Sequence, residues 1–493
     1  MGIRGKNLDS QNLAVVPSAY RITSIIITNY RGEKADVLDI STRMVINESL
    51  YSNTLTLKLT LKDSTNFIED FPIIGQEKIK IKFDYKRLSN GEEEDDIDIE
   101  IDFFVNEYPT FGSSENQAYT QAISLLAISE QSYISNQKKI SRSYNNNTSE
   151  EILKIFYEEL DLIKSKFKTS PEGHEAISTS QGIISNQRPL DVIEWFRRQT
   201  YSENTFSPFF LYQTVDGSFN FKSMSYLVSK DNEVYNRYYD VRGFNYSSLE
   251  QPELNFRQSD QRILSVSSDL KLNKSIQSRR GAFASKNNYL DYGNKTYTNF
   301  EYNYQKDFLD KELPSLEGKK ILSDKFLIGD QKLTDFTQAH CEYISVNSKA
   351  FDGNSNYNNM SKISRHFINA YNALSDTITH DIRLHGNLRL TAGTKIELIF
   401  PKNIDPLVRK DEVSENKKEE DEMEEGEDHK NKFLSGKYLI TSVIHEFSDD
   451  EYYVNLRVKR DSFSVDLGSD SSISGGLSSN VGSGPVGGGL LDL

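Results

Sequence analysis

Alternating apolar and polar positions dominate both ends of the chain. In residues 54–61 four leucines alternate with threonines and a lysine, and in residues 77–83 Ile79, Ile81 and Phe83 alternate with lysines. Residues 96–104 place isoleucines opposite carboxylates in the same way. Because successive side chains of a strand point to opposite faces of the sheet, these patterns predict half-buried β-strands.

The strands at 77–83 and 96–104 predict a hairpin with a charge ladder. Their polar faces carry opposite charges, at Lys78, Lys80, Lys82, Asp98, Glu100 and Asp102. Opposite charges that face each other across two strands contribute roughly 0.2–1 kcal/mol per pair. A slip of one residue would turn these charges into the core. We therefore expect the ladder to fix the register of the hairpin.

The apolar period changes to that of a helix after about residue 115. The stretch NQAYTQAISLLAISEQSYI, residues 116–134, predicts a first helix. Thr148 and Glu151 have the spacing of a capping box and precede a second helical stretch. The apolar face of that stretch consists of Ile152, Ile155, Phe156 and Leu160. Asparagine-rich stretches between the helices predict loops.

Three further elements are predicted in the middle of the chain. RPLDVIEWFRRQ predicts a third helix with Pro189 near its first turn. Asp216-Gly217 between patterned arms predicts a β-hairpin. Residues 250–370 are polar and tyrosine-rich, and a further helix is predicted near 361–375.

The strand period returns at residue 378. One strand, within LSGKYLITSVIHEFS, has apolar residues on both faces, which predicts burial of both faces. We expect Leu439, Val443 and Phe447 on one face, and Tyr438, Ile440 and Ile444 on the other. The following strand has one apolar face, made by Tyr452, Val454, Leu456 and Val458.

These patterns predict an α+β, β-dominated fold in which two β-barrel domains flank a helical and irregular middle region. The echo between GQEKIKIKF and GTKIELIF suggests two copies of one small barrel. We predict a first barrel domain at 1–112, a helical insertion domain at 113–205, a connecting region with the hairpin and the last helix at 206–375, a second barrel domain at 376–465, and a Gly/Ser-rich tail at 466–493.

The charge of the chain and the length of its apolar stretches limit the classes of protein to which it could belong. The run at 411–430 holds 11 acidic and 3 basic residues of a 493-residue chain with net charge -15, and it predicts a solvated insertion in the second barrel domain. A chain this acidic is a poor candidate for sequence-specific nucleic-acid binding. The single cysteine, Cys341, forms no internal disulfide, and no stretch has the apolar length of a membrane span.

The tail leaves two interpretations open. Its Gly/Ser-rich composition is typical of a flexible linker. Its apolar GGGLLDL stretch, in contrast, is suited to a short anchor that docks on a partner after assembly.

We find no enzyme motif, and the sequence predicts no catalytic residue, cofactor or metal site. The seven histidines lack zinc-site spacing, and His380 and His385 are expected on opposite faces of a strand. His445 is expected to be a hydrogen-bonded core residue, and Cys341 beside His340 is a poor nucleophile–base pair. The carboxylates of residues 98–102 are expected to be structural, and the acidic run lacks the pattern of a calcium loop.

The last folded stretch carries a resemblance to a known family. A Gly-x-Tyr strand, a Val-x-His-x-Phe segment, a polar turn, a Tyr-x-x-x-Leu strand and an Arg-Asp pair follow one another here. The positions are Gly436, Tyr438, Val443, His445, Phe447, Tyr452, Leu456, Arg460 and Asp461. This order resembles the end of the baseplate hub proteins of contractile-tailed bacteriophages. Residues 20–83, with Pro-x-x-Gly before the lysine-rich strand, resemble the family's first barrel.

The resemblance implies a structural role. Such hubs are homotrimers whose two tail-tube-like barrels per chain form a ring with pseudo-sixfold symmetry. The ring joins the hexameric tail tube protein to the trimeric central spike protein, contacts neighbouring baseplate proteins, and lets viral DNA pass without sequence-specific binding. The implied location is the virion, in the tail baseplate, after assembly in the host cytoplasm, with no membrane contact.

Three rival functions remain open at this point. A tail-associated lytic protein would need a compact helical domain with a carboxylate pair in a cleft. A carbohydrate-binding adhesion module would present exposed aromatic platforms. A secretion-system spike of the same fold would continue into a long β-helical needle.

Overall fold

Most of the alternating stretches form β-strands in the computed structural model. The structure describes residues 20–64, 66–85, 88–89, 92–93, 97–112, 121–144, 148–170, 176–177, 182–240, 261–271, 273–318, 321–323, 326–346, 355–401, 430–448 and 451–463. The predictions for the acidic run at 411–429 and for the tail fall outside these residues.

The strands of the first half of the chain are β1 Arg21–Thr28, β2 Lys34–Asp36, β3 Ser41–Ser49, β4 Thr56–Asp63, β5 Lys78–Tyr85, β6 Leu88–Ser89, β7 Glu92–Glu93, β8 Ile97–Gly112, β9 Gln121–Ser129, β10 Ile140–Tyr144, β11 Phe167–Thr169, β12 Ala176–Ile177, β13 Gly182–Gln187, β14 Tyr201–Ser202, β15 Phe209–Gln213, β16 Phe219–Ser223 and β17 Val234–Tyr239. Those of the second half are β18 Ser265–Leu270, β19 Ala284–Asp291, β20 Thr296–Asn303, β21 Cys341–Val346, β22 Ile378–His385, β23 Lys395–Ile399, β24 Gly436–Ser448 and β25 Glu451–Arg460.

Helices are fewer than strands in the part of the chain that the structure describes. The α-helices are α1 Phe67–Asp70, α2 Glu130–Gln137, α3 Thr148–Glu159, α4 Pro189–Gln199, α5 Met224–Val228, α6 Lys274–Arg279 and α7 Ser355–Leu374. A π-helix at Tyr304–Leu309 and several 3-10 turns complete the set. The fold is therefore β-dominated α+β, as predicted.

Strands from both ends of the chain share one large sheet. Its order is β18-β22-β25-β24-β3-β4-β9-β8-β5-β1-β2, and β23 links β17 to β24, which makes it 13-stranded among the described residues. The antiparallel pairing of β3 with β24 joins the N-terminal strands to the C-terminal ones. The described strands close no barrel within one chain, so the two separate barrels of the prediction are not confirmed.

The charge ladder is confirmed. β5 pairs antiparallel with β8, and Lys80 lies opposite Asp102 while Lys82 lies opposite Glu100. The Lys82 ammonium lies 2.9 Å from the Glu100 carboxylate, and Lys80 pairs with the same carboxylate. The apolar faces of both strands are buried in the main core.

The first predicted helix, at 116–134, is wrong at residues 121–129 and confirmed at 130–134, while residues 116–120 lie outside the described ranges. Residues 121–129 form β9, which lies between β4 and β8, and helix begins only at Glu130. Ile123 and Leu125 point into the core, whereas Leu126 is partly exposed. Between β4 and β8, the backbone of this apolar stretch forms hydrogen bonds with a neighbouring strand on each side. This pairing outweighs the helical spacing of its apolar residues.

The strand β24 is buried on both faces only in its first half. A bulge between Ile440 and Ser442 shifts its register against β25. The extra residue at the bulge reverses the faces to which the following side chains point. Ile440 therefore lies on the same face as Val443. Ile444 points outward, with 37% of its surface exposed. The predicted burial of Ile444 is therefore wrong, because strict alternation does not continue through a bulge.

A second hydrophobic core contains the predicted helices α3 and α4. Ile152, Ile155, Phe156 and Leu160 are buried, as predicted, and Pro189 begins α4. Phe219 and Phe221 of β16 lie in the same core, which therefore continues past residue 205. The side chain of Thr148, and with it the predicted capping box, lies outside the described residues.

The described residues in the rest of the middle region form further regular elements. The Asp216-Gly217 hairpin is confirmed between β15 and β16, with Gly217 at a φ of +76°. β20, β19 and β21 form a three-stranded sheet from the tyrosine-rich region. The last predicted helix is confirmed as α7, and it begins at Ser355, earlier than expected.

Candidate functional site

The junction between the two ends of the chain contains a buried carboxylate. Glu48 follows Met44 and Ile46 on the inward face of β3 and is 1% exposed. Its carboxylate accepts hydrogen bonds from the backbone N–H of Val215, at 2.8 Å, and of Ala392. One side chain of the N-terminal strands thus binds the hairpin turn after β15 and the loop before β23.

A histidine of the C-terminal strands lies beside this carboxylate. His445 Nε2 lies 4.0 Å from Glu48 Oε2, and His445 Nδ1 lies 2.8 Å from the Tyr452 hydroxyl. Burial raises the pKa of Glu48 to about 8, and Asp216 adds to this increase, whereas the bonds from Ala392 and Val215 oppose it. Burial lowers the pKa of His445 to about 3. Both groups are therefore predominantly uncharged at neutral pH.

Aromatic packing surrounds the pair. The rings of Phe447 and Tyr452 stack with centroids 4.2 Å apart, and Tyr20 meets both rings edge-on. A Cβ on Gly386 would lie 2.0 Å from the Tyr452 ring, so only glycine fits there. Five family-motif residues, Val443, His445, Phe447, Tyr452 and Leu456, thus lie together in the main core.

The other four motif residues form a second cluster at the end of β25. Arg460 is fully buried, and its guanidinium donates to the carbonyl oxygens of Phe433 and Ser435 and lies 4.9 Å from the Tyr438 ring centroid. Gly436 has a φ of +145°, and a Cβ there would lie 2.7 Å from Arg460 Nη1. The glycine therefore allows the guanidinium to approach the backbone.

This second cluster fastens the middle of the chain to the last strands. Asp461 accepts a hydrogen bond from the backbone N–H of Leu316 at 3.1 Å, and burial raises its pKa. The Glu317 carboxylate accepts from the backbone N–H of Lys437 at 2.6 Å. These carboxylates hold the segment before residue 318 against β24 and β25.

Sequence reasoning missed Glu48 and Glu317. A signal for Glu48 was present, since it continues the inward period of Met44 and Ile46 as a carboxylate in an apolar stripe. Glu317 lies in no comparable pattern of alternating apolar and polar residues. Their partners could not be found from the sequence, because Glu48 lies 167 residues from Val215 and 344 from Ala392.

The outermost strands of the large sheet are unpaired on one side. Among the described residues β18 pairs only with β22, and β2 pairs only with β1. All residues of β18 except Val266 are exposed. Unpaired edges of this kind can accept a strand of another chain.

Histidine, cysteine and carboxylate side chains form no candidate metal site in the described part of the chain. No group of three or more His, Cys, Asp or Glu residues there could hold a metal ion. His380 is bonded to Ser268 and Tyr438, and Cys341 is exposed. The described helices also include none with the length and apolar character that crossing a membrane requires.

Exposed tyrosines lie on the three-stranded sheet. Tyr297 of β20 and Tyr343 of β21 are 56% and 73% exposed, and Tyr292, directly after β19, is 70% exposed. In the register of this sheet Tyr297 lies opposite Leu290, and Tyr343 opposite Asn288. The Tyr297 hydroxyl donates to Asn288 at 2.5 Å.

The chain is similar to several solved structures. The tail protein from Neisseria meningitidis is 9% identical with a TM-score of 0.46, covering 90% of this chain and 97% of that one. The 43 kDa tail protein of prophage MuSo2 from Shewanella oneidensis is 11% identical with a TM-score of 0.47, covering 89% and 98%. An E. coli component of the type VI secretion system is 8% identical with a TM-score of 0.38, covering 90% and 76%.

These three structural neighbours are two tail proteins and a component of a secretion system. No protein-family model matches the chain, and no curated protein matches it.

Proposed function

We propose that this chain is the structural baseplate hub of a contractile phage tail. In this role three copies form a ring of pseudo-sixfold symmetry, with two tube-like units per chain. The ring joins the hexameric tail tube to the trimeric central spike and lets DNA pass through its bore. In this role the chain is a structural connector between the tube and the spike, and it catalyses no reaction.

The observation that carries the proposal is one sheet shared by both ends of the chain, in which β18 and β2 are each unpaired on one side among the described residues. The N-terminal and C-terminal strands meet in this sheet where β3 pairs with β24. The unpaired sides of β18 and β2 leave the two ends of this sheet available for pairing with neighbours. Pairing between neighbours would close a ring and remove edges that otherwise promote aggregation.

The two buried clusters support the same role. A ring that transmits force between tube and spike needs halves that move as one body. Glu48 binds two distant parts of the chain, at Val215 and Ala392. Asp461 holds the C-terminal strands to the segment before residue 318, and Arg460 binds the turn that precedes β24. In the proposed ring, carboxylates lining the bore would keep DNA phosphates from binding.

The proposal is tested by the mass of the purified chain, measured by light scattering at several concentrations. We expect three times the 56.4 kDa of one chain, and a ring in negative stain. Ser267→Lys places a lysine on the exposed edge strand β18 and should abolish the trimer. Ser165→Lys, at an exposed position outside the large sheet, is the matched control and should leave it intact. A monomer under all conditions, with and without a spike protein, would contradict the hub role.

A second candidate is supported by the exposed tyrosines of the three-stranded sheet. Tyrosine rings that are apolar on one face and hydrogen-bonding at one end suit recognition of sugars, as in a carbohydrate-binding adhesion module. Binding on a glycan array that Tyr343→Ser removes would support this candidate. An array without binding, together with a trimeric ring, would exclude it.

A further inference from the structure

An apolar groove lies between the π-helix at Tyr304–Leu309 and the segment that follows residue 320. Its volume is about 480 Å³, within the range of pockets that bind ligands. Leu309, Ile321 and Leu333 contribute apolar lining, and Phe326 on its rim is 57% exposed. Such a surface is costly to leave in contact with water.

The groove also contains a partly buried lysine. Lys274 lines the groove and is half-buried, and its ammonium donates to Gln277 at 3.2 Å and lies 5.4 Å from the Phe283 ring. Among the described residues no carboxylate pairs with it, and burial lowers its pKa to about 8. A partly buried cation of this kind gains from an incoming carboxylate.

The chain leaves the described fold beside this lysine. Phe463 is the last described residue, and the Lys274 ammonium lies 5.8 Å from its ring. Residues 464–493 contain three aspartates and no lysine or arginine. Only at 490–493, LLDL, do three leucines surround a single carboxylate. Apolar and acidic groups in this order match the apolar lining of the groove and its three lysines, Lys274, Lys306 and Lys332, which outnumber its one carboxylate, Asp335.

We propose that the groove is the docking site of residues 490–493 of the same chain. The leucines cover the apolar lining and the exposed face of Phe326, and Asp492 supplies the counter-ion of Lys274. This interaction is independent of the hub role, because it requires neither a trimer nor a tail partner.

The length of the connection favours the same chain over a second copy. A Gly/Ser-rich linker covering residues 464–489 spans roughly 28 Å, which is ample for a groove that begins beside Phe463. Such a linker gives an effective concentration on the order of millimolar, far above that of other copies in a micromolar solution. The intramolecular complex should therefore dominate.

A photo-crosslinking experiment on the full chain tests the proposal. A benzophenone amino acid replaces Leu491, and an equal mixture of ¹⁵N-labelled and unlabelled protein is irradiated and analysed by mass spectrometry. We expect crosslinks to peptides containing Leu309, Phe326 or Leu333, within one isotope population. The same probe at Ser479, within the same tail, is the control and should give no preference for the groove.

Variants of the groove sharpen the test. Phe326→Asp changes an exposed side chain, so the fold should survive, and the groove crosslinks should fall about tenfold. Lys274→Glu should lower them as well, and adding Asp492→Lys should restore them by reversing both charges. Unchanged crosslinks in Phe326→Asp, failure of the charge reversal, or crosslinks that join the two isotope populations would overturn the proposal.

Discussion

The charge ladder of β5 and β8 and the Glu48 junction use carboxylates in opposite ways. Glu100 in the ladder is exposed and shared between Lys80 and Lys82, whose hydrogen bonds lower its pKa to about 2. Glu48 is buried against backbone N–H groups, and burial raises its pKa to about 8. One carboxylate is stabilised as an anion in water, and the other is held mainly as a neutral acid in the core.

The difference separates contacts that set the register of neighbouring strands from contacts that connect distant parts of the chain. The ladder acts between strands that are neighbours in the sequence, and its energy is that of surface ion pairs, about 0.2–1 kcal/mol per pair. Glu48 connects regions that are far apart in the sequence, and each buried N–H that loses its acceptor costs about 1–3 kcal/mol. The ladder sets a register, whereas Glu48 holds three parts of the chain in one body.

The largest effect is expected from Glu48→Leu. At pH 5 the loss of the acceptor for Val215 and Ala392 should lower the free energy of unfolding by about 2–6 kcal/mol. Urea denaturation with an unchanged slope would measure this loss. Glu48→Gln is the matched control, because it keeps the shape and one acceptor oxygen and should lose about half as much. Equal stability of Glu48→Leu and the wild type at pH 5 would refute the role of the carboxylate.

The pH dependence of the junction should have a sign opposite to that of the ladder. Between pH 4.5 and about 8 the unfolded chain ionises Glu48 while the folded chain keeps it protonated, so stability falls as pH rises. The Glu48→Gln variant lacks this loss, and its stability should approach that of the wild type over this range. His445, with its pKa lowered to about 3, costs stability as pH falls below 6.5. A stability difference between wild type and Glu48→Gln that stays constant from pH 5 to 8 would contradict this.

Sequence patterns predicted the local parts of this architecture well. The ladder, the Asp216-Gly217 hairpin and the apolar face of α3 depend on neighbours within a few dozen residues, and the structure confirms them. The pattern failed at β9 and at the bulge of β24, where pairing with distant strands decides the conformation. The Glu48 junction is of the same kind, since nothing near β3 in the sequence indicates Val215 or Ala392 as partners.

A smaller effect is expected at Gly436, which belongs to the second cluster. Gly436→Ala should lower the free energy of unfolding by roughly 2–3 kcal/mol, because its φ of +145° is strained for alanine and the new Cβ meets Glu317 and Arg460. Gly32→Ala is the control, since Gly32 has a φ of +82° but nothing within 4 Å of a Cβ, and about 1 kcal/mol of strain alone is expected. Thermal or urea unfolding of both variants measures the difference. Equal losses in the two would show that the close approach of Arg460 adds nothing.

The smallest effect is expected in the ladder itself. Glu100→Gln removes the carboxylate shared by Lys80 and Lys82 and should lower the free energy of unfolding by about 0.5 kcal/mol at low salt, because all three side chains are substantially exposed. Since the pKa of Glu100 is lowered to about 2, its contribution is present above pH 4.5 and is lost as pH falls towards 2. It should also shrink at high salt, whereas the loss in Glu48→Leu should not. Urea denaturation of both variants at low and high salt makes this comparison. The loss of stability in Glu100→Gln could instead be as large, and as insensitive to salt, as the loss in Glu48→Leu. That result would mean that the exposed ladder, and not only the buried junction, holds the sheet together.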